Sequence, residues 1–300
     1  MRLLTNPASN MPASALSRYD ILLARQTIVV DQQSHDTRAD IPLATIDRWV
    51  ATAKEFPKVL GSTSADLVPV FLDAVEKDRD LLVVVTSRRL IQTYHSAVSA
   101  AATVKTRVAR KDTTIQVVDT LSTDLGAALV AIAAAEVART GLSAKDTAAL
   151  VDELAARGRA AMHVQNMSHT LKSGRASLLK AWMTSILQVR PIMGIADGDL
   201  RVLGRIREKD DPVVALADHF SERMPDRPRV WLGIAHGGDP SLAARCKQEM
   251  EGRFDVAFSL VRPLSSSLYL YLGPGALAVF VLPIEGLSRP IPTPAPLLDV

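Results

Sequence analysis

Thr86 and Ser87 close the apolar run Leu81 to Val85 and are followed at once by Arg88, Arg89 and a helix-like segment. A hydroxyl pair at the carboxyl end of a buried strand, ahead of a helix whose first N–H groups lack partners, suits a small anion or a carboxylate. Taken alone, the same pair serves as a helix cap. A second cluster, Ser62, Thr63 and Ser64, precedes Leu67, Val70, Phe71 and Val75 at helical spacing, and capping explains one of its three hydroxyls. Asp119 ends the apolar run from Ile115, where it either orients a hydroxyl or caps the next element. His236 ends another such run beside Gly237 and Gly238. Among the six histidines the closest pair is His163 and His169. Their spacing does not put both on one helical face, so no metal site is expected.

The absences are as informative. No G-x-x-x-x-G-K-[ST] loop, no G-x-G-x-x-G at a strand-to-helix junction and no G-x-S-x-G elbow occurs, which removes the main support for nucleotide and hydrolase readings. No catalytic residue is expected. The enzymatic alternative is a transferase or hydrolase with Asp119 or His236 as base. A net charge of +3, from 35 basic and 32 acidic residues without a long basic block, argues against nucleic acid. The single cysteine, Cys246, excludes an intrachain disulfide and a cysteine-cluster metal site and fits a reducing cytoplasm. The first residues lack a secretory pattern, and no apolar run reaches the ~20 residues that span a bilayer, so no integral membrane segment is expected.

These groups need elements to hold them. With 48% hydrophobic residues but only 4% aromatics, the core is expected to be helices on sheets of small aliphatic side chains. Leu81 to Val85 lacks polar alternation and reads as a strand covered on both faces. Strand-like runs at Arg2–Leu4, Asp20–Val30, Leu81–Val85 and Ile115–Asp119 alternate with helical patterns from Ala44, Gly61, Gln92, Asp124 and Ser143. Ser143 and Asp146 resemble a capping box. The alternation predicts a doubly wound parallel α/β domain over residues 1–160.

Beyond it, a helix is expected over Ser177–Val189, then a hairpin turning at Asp197 and Gly198, helices from Pro212 and Pro240, and strands at Val230–Ala235, Phe254–Val261, Leu268–Leu272 and Ala276–Leu282. This is a second, α+β domain with antiparallel strands over residues 161–286. The proline-rich residues 287–300 read as a flexible, extended tail.

Eight segments, in order, resemble the DegV family of bacterial lipid-binding proteins from Arg2 to about Pro283. Thr63 and Ser64 are similar to the family's T-S-x-x-S helix start. Ser87, Leu90, Thr93, Tyr94, Ser96 and Ala97 are similar to its S-x-L-S-G-T-Y-x-S-A segment. Asp119 with Gly126 resembles V-I-D-S followed by S-x-G-x-G, and Ser173, Gly174 and Arg175 resemble the S-G-R turn. Pro191, Ile192, Asp197, Gly198 and Leu200, then Arg205 and Arg207, resemble the hairpin and the basic pair after it. His236 ends a strand, as in the family, and Gly273 to Leu277 is the late G-P-G-A-L.

The resemblance implies a two-domain cytoplasmic protein, not an enzyme and without a cofactor, that buries a long-chain fatty acid between its domains. It places the carboxylate near Thr63, with Ser64 and Thr93 second, and Ile91, Tyr94, Tyr271 and Gly273 at matching site positions. It further implies presentation of the carboxylate to a fatty-acid kinase that makes an acyl phosphate, with Arg175 as docking residue. The departures are Ile91 for the family's serine, Gln92 for its glycine, Asn6 to Ser9 for its D-S-S, and Tyr271 for its histidine. They define the alternative: a diverged member that binds another apolar ligand, such as an ester or an isoprenoid, or that acts as a partner module.

Overall fold

A computed structural model describes residues 1–78, 80–108, 112–175 and 189–297. The strands are β1 (Arg2–Thr5), β2 (Ile21–Leu23), β3 (Thr27–Val30), β4 (Gln33–Asp36), β5 (Lys58–Leu60), β6 (Asp80–Val85), β7 (Thr114–Asp119), β8 (Arg159–His163), β9 (Val189–Ala196), β10 (Asp199–Arg207), β11 (Arg229–His236), β12 (Asp255–Pro263) and β13 (Leu277–Pro283). The helices are α1 (Ala13–Arg18), α2 (Leu43–Thr52), α3 (Ser64–Asp78), α4 (Thr93–Arg107), α5 (Asp124–Ala138), α6 (Ala144–Ala155), α7 (Pro212–Arg223), α8 (Pro240–Glu251) and α9 (Ser266–Leu272).

Strands β2-β1-β6-β7 form a parallel sheet in that order. A six-stranded sheet runs β10-β9-β8-β13-β11-β12, antiparallel except for β11 and β12. Strands β4-β3-β5 make a small antiparallel sheet. The fold is therefore the expected pairing of a parallel α/β half with an α+β half.

Hydrophobic periodicity explains the layering. Leu67, Phe71 and Val75 of α3, with Ala97, Ala100 and Val104 of α4, pack on one face of the parallel sheet against Leu81, Val83 and Val85. The alternate residues Leu82 and Val84 face α5 and α6, whose other side meets Met162, Trp231, Ala278 and Phe280 of the large sheet. α5 is buried at every residue except Ala138. An alanine-rich helix without a polar face is what a position between two sheets requires. Beyond the large sheet, α7 and α8 cover Ala161, Leu232, Ile234 and Leu277. At the start of α6, the Ser143 hydroxyl accepts from the Asp146 N–H at 3.1 Å, as the capping pattern predicts.

Two expectations change, and a third lies outside the described residues. Leu268–Leu272 is not a strand but the body of α9, because the Ser265 hydroxyl caps the Leu268 N–H and starts a helix. Asp20–Val30 is two strands in different sheets, broken at residues 24–26. The helix expected from Ser177 lies over 177–188, outside the described residues, and Val189 opens β9. Residues 289–297 have no regular secondary structure, but Ile291 and Leu297 are buried and the Arg18 guanidinium donates to the carbonyls of Ala295 and Pro296.

Candidate functional site

In the parallel sheet the chain leaves β1 toward β2 on one side and the neighbour on the other side is β6, so the loops after β1 and β6 diverge. Such a switch point opens a crevice at the carboxyl ends of the strands. Here it is closed over by the β9–β10 hairpin and by α9. The resulting cleft is partly open to solvent and has a cavity volume of about 80 Å³. Its walls are largely apolar, with Val59, Leu90, Ile91, Ile195, Leu200 and Leu272 among them, and four hydroxyl residues, Thr86, Thr123, Ser267 and Tyr271, interrupt them. An apolar pocket with a few placed polar groups is the usual form of a small-molecule site.

The polar groups come from strand ends. Asn6 follows β1 and Thr86 follows β6, and both are fully buried. The Thr86 backbone N–H donates to Asn6 Oδ1 at 3.0 Å, and Asn6 Nδ2 donates to Thr86 Oγ1 at 3.0 Å and to Gln26 Oε1 at 3.2 Å. Gln26 Nε2 in turn donates to Ser267 Oγ at 2.5 Å. Asp124, buried at the start of α5, accepts from Asn10 Nδ2 at 2.8 Å and from the Ser265 N–H at 2.9 Å. Burial pushes the Asp124 carboxyl upward against these bonds.

The residues singled out in the sequence separate into groups. Ile91 and Tyr271 line the cleft, and the Tyr271 ring lies 5.9 Å from that of Phe56. Thr93 is buried just behind Ile91: a Cβ on Gly61 would sit 2.3 Å from Thr93 Oγ1 and 2.9 Å from Ile91 Cγ1. The Thr93 hydroxyl has no hydrogen-bond partner among the described residues. Thr63 is exposed; its hydroxyl donates to Asp66 Oδ2 at 2.7 Å and accepts the Asp66 N–H at 3.2 Å, and its own N–H also meets that carboxylate. These bonds hold the Asp66 carboxyl below its usual range. Ser64, half-buried, opens α3. Neither Thr63 nor Ser64 is among the residues that line the cleft.

Tyr94 is half-buried with the Arg88 guanidinium 5.6 Å above its ring. Gly273, at φ +73°, ends α9 against the His169 ring. Ser173 and Gly174 lie in a helical turn that Arg175 closes, and the Arg175 side chain lies outside the described residues.

Ser87, Arg88 and Asp119 build the frame. Ser87 Oγ donates to the Gly198 carbonyl at 2.6 Å, which ties the hairpin tip to the parallel sheet. Arg88 Nε lies 3.2 Å from Asp119 Oδ2. Burial raises the Asp119 carboxyl even so. His163 and His236 flank Leu277 in register on the outer face of the large sheet, away from the cleft. Burial lowers both imidazoles, His163 to about 4. Among the described residues no cluster of three or more His, Cys, Asp or Glu is placed to hold a metal. Gln26 and Ser267 carry no motif, whereas Leu200 belongs to the hairpin segment of the resemblance and Ile195 to the strand before its turn.

Fold and crevice together define a two-domain protein with a parallel α/β half, a largely antiparallel α+β half and a largely apolar cleft where the two meet. The family signature described as "Uncharacterised protein, DegV family" matches residues 1–284. The chain belongs to the DegV family. A fatty acid-binding protein of Thermotoga maritima is 23% identical to it over 290 residues, 95% of this chain and 98% of the relative. A solved DegV family protein of Thermus thermophilus, described by its fatty acid binding, superposes with a TM-score of 0.81 at 21% identity, covering 94% of this chain and 99% of that one. A stearic acid-binding protein of Eubacterium ventriosum gives a TM-score of 0.79 at 19% identity, covering 94% and 98%. Those relatives are bacterial and are named for binding, not for catalysis. Among the described residues no helix is long and apolar enough to cross a membrane.

Proposed function

We propose that this protein encloses a long-chain fatty acid in the cleft between its two halves. The observation that carries the reading is the cleft itself: an apolar volume whose lining is interrupted by hydroxyls at the strand ends, in a chain of the DegV family. Burying a C16 chain at ~0.8 kcal/mol per methylene gives a gross transfer term on the order of 10 kcal/mol. That is of the same order as the association cost of about 4–15 kcal/mol, so retention depends on how well the cleft is preorganised. In this reading Ile91 and Tyr271 wall the ligand, with Thr93 behind them, and no side chain acts as a catalyst.

The finer proposal is that the bound carboxylate is offered to a fatty-acid kinase, with Arg175 on the docking surface. What supports it is the continuity of the Ser173–Arg175 turn with the cleft wall: Ser173 Oγ donates to the Thr170 carbonyl and Thr170 Oγ1 donates to the Tyr271 carbonyl at 2.8 Å. Acyl phosphate formation with a bacterial fatty-acid kinase, abolished in Arg175→Ala while lipid stays bound, is the expected outcome. Unimpaired turnover of Arg175→Ala contradicts the docking role.

Native mass spectrometry of the purified protein, followed by organic extraction, tests the carrier reading. The expected result is one equivalent of a free fatty acid. Protein that is empty and ignores added palmitate and oleate contradicts it. A co-purifying ester or isoprenoid would show the fold retained with a changed ligand, which Ile91 in place of a serine makes the one specific alternative.

A further inference from the structure

The direction of every hydrogen bond in the Asn6–Gln26 relay is set by one backbone group. The Thr86 N–H needs an acceptor, and Asn6 Oδ1 is that acceptor at 3.0 Å, so the opposite end of the Asn6 amide must be its NH2. That NH2 donates to Thr86 Oγ1 and to Gln26 Oε1. Gln26 is thereby oriented as well, and its NH2 faces Ser267 Oγ. Gln26 is 1% exposed and Ser267 is 7% exposed, so water does not compete readily for these bonds. Each of the two hydroxyls receives an amide N–H, and neither hydroxyl proton has an acceptor among the described residues. Both residues line the same cleft. Two O–H donors, each with an oxygen already engaged by an amide, thus line one largely apolar cleft, which Thr123 and Tyr271 also border.

We propose that Thr86 and Ser267 are the head-group donors of this protein and that Asn6 and Gln26 are the positioning residues that hold them as donors. The inference rests on the carrier reading and deepens it by naming the end of the cleft that takes the carboxyl group. The pair supplies hydroxyl donors in a cleft where Ile91 offers none. Segments far apart in the chain build it: Gln26 and Ser267 are 241 residues apart, and Asn6 and Thr86 are 80 apart. An acceptor with two oxygens, a fatty acid's carboxyl group, matches two donors.

The test is the affinity of the full chain for palmitate and, separately, for hexadecane delivered from cyclodextrin, in wild type, Ser267→Ala, Ser267→Thr and Gln26→Glu. Gln26→Glu keeps the side-chain volume but puts an acceptor where Ser267 now receives a donor, turning the Ser267 proton away from the cleft. The expected result is a tenfold or greater loss of palmitate affinity in Ser267→Ala and Gln26→Glu, with hexadecane affinity within threefold and Ser267→Thr close to wild type. Equal losses for both ligands would mean that the relay only shapes the cleft, and would overturn the proposal. So would unchanged palmitate affinity, or a wild type that binds both ligands without preferring palmitate. A wild type that binds neither ligand overturns the carrier reading itself.

Discussion

Two groups of hydroxyls differ in the folded chain: the run Ser62–Ser64, and the pair Thr86 and Ser267, which the fold brings to one cleft from distant segments. In Ser62–Ser64 the hydroxyls of Ser62 and Thr63 have found acceptors: Ser62 donates to the Arg25 carbonyl and Thr63 to Asp66. Thr86, after β6, and Ser267, in the first turn of α9, accept amide protons and line the cleft, and neither hydroxyl proton has an acceptor among the described residues. The first group spends its hydrogen bonds on starting α3 and fixing a loop, and the second is the proposed set of ligand donors. The difference teaches that a hydroxyl's position in a motif says less about its role than the direction of the bonds it already makes.

Four perturbations break or sharpen that contrast. The largest effect is expected at the strand-end region from Asp124→Ala, which leaves the Ser265 N–H and one of the two Asn10 Nδ2 hydrogens, the other being held by the Pro263 carbonyl, without an acceptor in a buried site. A loss of about 3 kcal/mol in denaturant unfolding follows from two such unsatisfied donors. A change under 1 kcal/mol would show that the region is not organised around this carboxylate.

Acidification comes next and acts on the outer face, away from both groups. Burial, aided by the Arg190 and Arg223 charges, lowers the His163 and His219 imidazoles from about 6.5 to about 4. Between those values the unfolded chain holds protons that the folded chain refuses, so stability falls as pH drops from 6.5 toward 4. Asp119 and Asp124, shifted upward by burial, act in the opposite sense. A net loss of stability is expected where the imidazole pair outweighs the two carboxyls, read from unfolding midpoints across the pH series. In His163→Gln the slope should flatten; an unchanged slope would assign it elsewhere.

Gly61→Ala probes the seam between the first group and the cleft. Its new Cβ would press on Thr93 and Ile91, and a loss of about 1–3 kcal/mol with weaker palmitate binding is expected. The smallest effect is expected from Thr63→Val, which removes the N-terminal bond of α3 at a cost of about 1 kcal/mol. Palmitate affinity should stay within threefold, and a larger loss would erase the contrast between the groups.

Most elements were legible because periodicity and punctuation agreed. The Leu81–Val85 run, the capping pair Ser143 and Asp146, and the hairpin turn at Asp197 and Gly198 each carried a local signal that the fold obeys. Leu268–Leu272 misled because an apolar run that short has no length to separate strand from helix, and the Ser265 cap decided it. The strands Gln33–Asp36 and Lys58–Leu60 are short and largely exposed, so they carry no hydrophobic pattern at all. Of the cleft, Thr86 stood out as a strand-end hydroxyl and Ile91 and Tyr271 through the family resemblance. Gln26 and Ser267 were invisible, because their meaning lies in a contact between strand loops and a helix that no spacing along the chain encodes.

The most direct measurement is the NMR resonance of palmitate labelled with 13C at its carboxyl carbon and bound to the protein, compared among wild type, Ser267→Ala, Gln26→Glu and Thr63→Val. The account predicts a single bound resonance, displaced in Ser267→Ala and Gln26→Glu and unmoved in Thr63→Val. A resonance that shifts with Thr63→Val and ignores the other two would place the carboxyl group at the start of α3 and contradict the strand-end site.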